Sequence, residues 1–238
     1  MQAAVSTSWD PLSRGIRDIP VHFAQINQRD GFFITGRPAA GSFEWKQLEG
    51  ARLLADHAQQ PLAMLMYALH LRGVDASRVE MINAGSPEAL TAAFREGTGD
   101  YVHLQGPAPQ QLESEGAGKV VAALGETIPP VAFSSLMAMR GFLETDKAQA
   151  FMRAYRRALR FVVESPAGAI AEAIAPFFPG ISPGVLAASA ARYQKLGCWR
   201  LDPGITREQY EVAMDVFLFS GVFKERYPYE DVVVNIAH

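Results

Sequence analysis

Arg52-Leu53-Leu54-Ala55-Asp56-His57-Ala58-Gln59-Gln60-Pro61-Leu62-Ala63-Met64-Leu65-Met66-Tyr67-Ala68-Leu69-His70 decides how this chain is read. Residues 53–55 predict a short buried strand. Pro61 then opens a helix whose inner face is Leu62, Leu65, Met66 and Leu69, spaced i, i+3, i+4, i+7. Proline suits a first helical position, because the N–H it lacks would have no partner there. The linker 56–60 therefore joins the carboxyl end of a strand to the amino end of a helix. Ligands bind at such places in open α/β sheets, where backbone N–H groups and the helix dipole face a polar or anionic group.

Downstream, residues 78–82 predict another strand, and Ser86-Pro87-Glu88 is a helix start that Gly97 closes. Residues 100–104 predict a strand running into Gln105-Gly106-Pro107, followed by a helical segment at 110–115 and a strand at 119–123. A short helical turn is expected at 43–48. Strand and helix thus alternate from 43 to 124, the pattern of βαβ units on a mostly parallel sheet.

Upstream, residues 2–8 predict a strand ending in Ser6, Thr7, Ser8 and Trp9. Residues 19–26 and 32–35 predict two more, separated by the turn cluster 27–31; such a pair is either a hairpin or a crossing between lobes. Residues 125–130 interrupt the alternation, 131–140 are extended and apolar, and from Asp146 onward the pattern is helical. Thr206-Arg207-Glu208-Gln209 is a capping box. Arg153, Arg156, Arg157 and Arg160 read most simply as a solvated face.

The 238 residues suffice for one substantial domain or two small lobes. A net charge of −3, with no run of Lys or Arg, gives no electrostatic case for nucleic acid. The single cysteine, Cys198, excludes an intramolecular disulfide and argues against a cysteine-based metal site; beside Trp199 it reads as a buried thiol. The amino terminus has no basic region followed by a long apolar core, so no export signal is expected, and no stretch reaches the length of a membrane span. No Gly-x-Ser-x-Gly, phosphate-loop or His-Glu-x-x-His motif is present, which favours binding over catalysis.

Several stretches, in order, resemble the substrate-binding proteins of ABC transporters in the type-2 periplasmic-binding-protein family related to thiamine-pyrimidine-precursor binders. They are residues 19–31, 43–50, 61–69, 99–104, 112–116 and 119–126, then Arg192-Tyr193, Trp199 and Asp202-Pro203. The resemblance implies an α/β fold of two lobes that close by a hinge on a small polar or anionic organic ligand. It implies a first lobe of 1–31 plus 138–238, incomplete and helix-rich, and a second α/β lobe of 32–137, with crossings near 32–37 and 131–140. It also implies an ABC permease as partner and a periplasmic location, although without a signal a cytoplasmic one stays open. No cofactor and no metal are expected.

Two departures stand out. Family members begin with two further βα units and an export signal, so the first lobe is expected to lack about half its sheet. The ligand loop, glycine-rich in close relatives, is here His57-Ala58-Gln59-Gln60, and Gly106 stands where an acidic residue precedes the proline. The expected ligand contacts are Asp56, His57, Gln59, Gln60 and Pro61, with the types of His57, Gln59 and Gln60 suiting hydrogen bonds. Ser6, Thr7 and Ser8 would bind an anionic group from the opposite lobe, and Trp9 would stack on a flat ligand or pack in the core. Tyr101, His103 and Gln105 share one side of their strand, where they reach the cleft or fill the core. Two competitors remain: an orphan interaction module or obligate oligomer paired through an exposed sheet edge, and an enzyme on the same scaffold, which would need a cysteine-rich iron site.

Overall fold

The computed structural model describes residues 1–38 and 41–236. In chain order the first elements are β1 (Gln2–Ala3), α1 (Ser6–Ser13), β2 (Val21–Asn27), β3 (Phe32–Gly36), β4 (Arg52–Leu54), α2 (Gln59–Leu71) and β5 (Glu80–Ile82). Next come α3 (Pro87–Arg95), β6 (Tyr101–Gln105), α4 (Ala108–Ser114), β7 (Lys119–Ala123), α5 (Leu124–Thr127) and β8 (Ser134–Ala138). The rest is helical: α6 (Arg140–Leu143), α7 (Asp146–Glu164), α8 (Ala167–Ile174), α9 (Pro183–Leu196), α10 (Arg207–Phe219) and α11 (Tyr229–Val232). Contacts group these into two units. The first comprises Met1–Arg29, Pro129–Ser165 and the chain from Gln194 onward; the second comprises Asp30–Ile128 and Pro166–Tyr193.

In the first unit, β1, β8 and β2 form a sheet in that order, antiparallel throughout. The strand expected over residues 2–8 stops at Ala3. Thr7 N–H bonds back to Ala4 C=O and Ser8 N–H to Val5 C=O, and these short-range bonds turn the chain into α1 instead. Trp9, on that helix, is fully buried. Its ring meets Tyr210, Phe217 and Phe223 edge-on at 5.7, 5.4 and 5.3 Å, and its indole N–H donates to Tyr210 Oη at 2.9 Å. Beneath the sheet, Val21, Phe23 and Ala24 pack with Leu143 and Met152. α10 starts on its capping box: Thr206 Oγ1 accepts from Gln209 N–H, and Gln209 Oε1 accepts from Thr206 N–H.

The second unit holds a five-stranded sheet in the order β5-β4-β6-β3-β7. β4 runs parallel to β5 and β6, and β3 inserts antiparallel between β6 and β7. Alternation along β6 sends Val102 and Leu104 to one face, where they pack with Leu54, Leu90, Phe94 and Leu112 beneath α3 and α4. Ser86 caps α3 by accepting from Ala89 N–H. Since β2 and β3 belong to different sheets, the turn at 27–31 is a crossing and not a hairpin.

The unit boundaries differ from the lobes implied by resemblance at two places. β8 pairs with β1 and β2, which takes residues 129–137 into the first unit. Residues 166–193 join the second unit, where Arg192 pairs with Glu113 and Tyr193 bonds to Gly31 and Gly106.

Three buried titratable groups mark the interior. His22 lies between Ser8 Oγ (3.1 Å) and Ser135 Oγ (2.6 Å), and burial, reinforced by the Met1 ammonium, lowers its pKa from 6.5 to about 4. His103 stacks on Phe32 at 4.6 Å, has no hydrogen-bond partner at either ring nitrogen, and is lowered by burial to about 3. Asp30 accepts from Phe32 N–H at 2.6 Å through Oδ1 while Oδ2 has no partner; burial raises its carboxyl from 3.8 to about 7, against the pull of that hydrogen bond.

Trp9→Ala should cost about 3–5 kcal/mol in urea unfolding, the usual penalty for deleting a large buried aromatic; Trp9→Phe should cost less, losing mainly the Tyr210 bond. The pH dependence has opposite signs at the two kinds of group. Each histidine is neutral when folded and takes up a proton at 6.5 when unfolded, so its contribution is lost as pH falls from 6.5 toward about 4 for His22 and about 3 for His103. Asp30 keeps its proton when folded up to about 7 but releases it at 3.8 when unfolded, so its contribution is full below 3.8 and lost as pH rises to about 7. Asp30→Asn should therefore gain stability over the parent, by order of a few kcal/mol, between about pH 4 and 8. His103→Phe should flatten the decline on the acid side. Urea midpoints measured across that range check both.

Candidate functional site

The order β5-β4-β6 contains a reversal. From β4 the chain passes through α2 to β5 on one side, and from β5 through α3 to β6 on the other side of β4. Connections diverging from one strand leave an open crevice at the carboxyl ends of that strand and its far neighbour, where ligands sit in open α/β sheets. The register Leu53↔Tyr101 and Leu54↔Val102 puts both ends at one edge of the second unit. The turn after β4 (residues 55–58) and the turn after β6 (Gly106-Pro107) therefore lie on the same side of the sheet.

The first turn is locally determined. Ala55 N–H bonds to Ile82 C=O, holding the chain against β5 for one more residue. Asp56, nearly buried, turns back and accepts from Ala58 N–H at 2.9 Å. His57 Nδ1 lies 2.8 Å from Ala55 C=O; a carbonyl only accepts, so Nδ1 carries the proton and Nε2 is an acceptor in the neutral ring. α2 begins at Gln59, two residues before the expected start, and Pro61 falls third in the helix, still within the first turn. The N-cap residue, Ala58, has no side-chain oxygen to cap that turn. Gln59 is exposed, while His57, Gln60 and Pro61 are half-buried. This edge offers an imidazole acceptor, an amide and the positive end of a thirteen-residue helix.

The residues expected on β6 divide. Tyr101 sits at the amino end of the strand, against Phe43 and the Gly36 backbone, about 13 Å from Gln105 at 3.3 Å per residue. It belongs to the opposite edge of the sheet. His103, with no exposed surface, is a core residue. Gln105 alone stands exposed at the carboxyl edge.

Around the second turn, α9 brings residues whose part was invisible in the sequence. Tyr193 Oη accepts from Gly106 N–H at 2.9 Å and donates to Gly31 C=O at 3.1 Å, tying the turn to the start of β3. A Cβ on Gly106 would lie 2.6 Å from Ser189 Oγ, 2.9 Å from Tyr193 Oη and 3.0 Å from Gln110 Oε1, which is why glycine stands before the cis peptide bond to Pro107. Gln110 is 2 % exposed and neither of its amide atoms has a partner. A groove of about 380 Å³ reaches the same turn, lined by Pro87, Thr91, Arg95, Pro107, Gln111 and Phe178 among others.

In the first unit the expected contacts lie on α1 rather than after a strand. Ser8 Oγ donates to Pro20 C=O at 2.7 Å and sits 3.1 Å from His22, while Ser6 is buried. Trp9 is enclosed by the aromatic cluster, so it has no free face for a ligand ring. Thr7 is exposed in the first turn of the helix.

Among curated proteins, the chain is 29% identical over 225 residues to YtlA of Bacillus subtilis (strain 168), which carries the name of a binding protein; the match covers 93% of this chain and 67% of that one. Among solved structures, a ligand-binding component of an ABC-type import system from Staphylococcus aureus, with zinc bound, aligns at TM-score 0.74 and 17% identity, over 98% of this chain and 77% of that one. The periplasmic aliphatic sulphonate binding protein SsuA from Escherichia coli aligns at 0.74 and 15% identity, over 99% and 75%. The desulfurization enzyme DSZB aligns at 0.61 and 13% identity, over 97% and 81%, so the fold also carries catalysis. These likenesses show the periplasmic-binding-protein fold. The profile described as NMT1/THI5 like matches residues 3–169, and the chain belongs to the NMT1/THI5-like family.

Proposed function

We propose that the chain is the solute-binding component of an ABC import system, capturing a small polar or anionic organic molecule for delivery to a permease. The observation that carries this reading is the edge at the strand-order reversal, where half-buried His57 and the amino end of α2 follow β4 in a member of this family. Asp56 would shape the turn while His57, Gln59, Gln60 and Gln105 contact the ligand. Hinge closure is the mechanism that comes with the family, and a ligand drives it only by its differential affinity for the closed form.

The structures of like fold include a sulphonate binding protein and an import component with zinc bound. Among the described residues no group of three His, Cys, Asp or Glu could hold a metal ion, which supports the oxyanion. A helix start suits a sulfonate or carboxylate head group, and the Nε2 acceptor of His57 suits an N–H or O–H elsewhere on the same ligand, such as the ammonium of taurine. The likeness to DSZB keeps an enzyme as the second reading. Its weight is small, because the candidate edge holds no nucleophile beside a base.

Thermal unfolding with taurine, longer alkanesulfonates, thiamine-pyrimidine precursors, riboflavin and nitrate tests capture. A true ligand at a hundred times its Kd should add about 2.7 kcal/mol and raise Tm by several degrees. It should come back chemically unchanged after denaturation; a converted product would establish the enzyme instead, and no rise with any compound would defeat capture. His57→Ala should weaken the ligand found by about tenfold, the scale of one lost hydrogen bond, while the ligand-free Tm falls by no more than about 4 °C from loss of the bond to Ala55. Unchanged affinity would move the site away from this turn.

A further inference from the structure

α7 is nineteen residues long, yet Ala148, Met152 and Leu159 are its only buried residues. At about 100° per residue those three fall in one narrow arc, and the opposite half of the helix is exposed along its length. One strip of that exposed half carries Arg153, Arg157 and Arg160. The adjoining strip carries Ala150, then Ala154 and Ala158 between two part-exposed rings, Phe151 at 42% and Phe161 at 39% exposure, the first also resting one edge on Phe23 and one face on Tyr155. Arg95, Arg192, Arg207 and Arg226 all make ion pairs elsewhere in the protein, whereas among the described residues Lys147, Arg153, Arg157 and Arg160 make none. The helix's two acids, Asp146 and Glu164, stand at its ends and leave the middle purely basic.

We propose that this face of α7 binds the surface of an anionic lipid bilayer, with the helix lying in the plane of the headgroups. A basic strip beside an apolar one is the arrangement of an interfacial helix: the rings enter the acyl boundary while guanidinium groups stay among the phosphates. The rings are ten residues apart, about 15 Å along the axis, with only methyl groups between them, so the apolar strip is flat. A second copy of the chain fits poorly. Face to face, two copies would oppose their arginine strips, and an antiparallel pair would bring Asp146 to Glu164. The helix lies on the bilayer rather than through it; no helix among the described residues is long and apolar enough to span.

Flotation of the whole chain with vesicles of phosphatidylglycerol and phosphatidylcholine in equal parts, and of phosphatidylcholine alone, tests the proposal. The protein should float with the first and stay behind with the second, and binding should fall by about tenfold or more between about 50 and 500 mM salt. The double variant R153E/R157E should lose at least about tenfold, and Phe161→Ser several-fold, both with the parent's Tm and circular dichroism. Failure to float on the anionic vesicles at low salt overturns the idea, as does a folded R153E/R157E that floats like the parent. Displacement by polyglutamate together with an unaffected Phe161→Ser would mark a surface for acidic proteins, and the lipid assignment would fall.

Discussion

The parallel pairing of β4 with β6 is the constraint on which the rest of the second unit turns. Leu53 opposite Tyr101 and Leu54 opposite Val102 bring together two strands that are nearly fifty residues apart in sequence, with β5 displaced to the far side. The parallel pairing points the carboxyl ends of both strands the same way, with β6 running three residues past the partner of Leu54, so the turns at 56–61 and 106–107 lie on the same side of the sheet. Shifting the register by one residue would send Val102 and Leu104 to the wrong face and remove them from Leu54, Phe94 and Leu112. The apolar packing on one face thus fixes the geometry of the polar edge at its end.

The second unit also buries polar groups that its own atoms do not satisfy. His103, Gln110 and one oxygen of Asp30 lack partners, each at a desolvation cost of order 1–3 kcal/mol. Neutrality limits the cost: burial keeps the imidazole unprotonated and holds the Asp30 carboxyl in its acid form up to about neutral pH. Gln110 and Asp30 stand beside or within the segments that Tyr193 ties together, close to Gly106 and Gly31.

The functional reading rests on the family and the fold rather than on any one side chain. The turn after β4 offers hydrogen-bonding groups and a helix start, and the proposed capture rests on these. Membership of the NMT1/THI5-like family, together with a fold shared with import-system binding components, makes capture the economical account.

The sequence by itself determined whatever depends on neighbours a few residues apart. Ser86 before Pro87, the box from Thr206 to Gln209, the alternation through residues 101–105 and the strand-to-helix turn at Asp56 were all legible, because capping and face alternation are set within one or two turns of chain. Tertiary structure decided the rest. Residues 2–8 have strand-like composition, yet bonds from Thr7 and Ser8 to Ala4 and Val5 curl them into α1, and Trp9 goes to an aromatic cluster built from residues two hundred positions away. Tyr101 and Gln105 look equivalent by alternation but stand at opposite ends of a strand whose usable end is set by its partners. The hydroxyl of Tyr193 reaches Gly106 across 87 residues and Gly31 across 162, and no local pattern encodes a contact whose two halves meet only when the fold is complete.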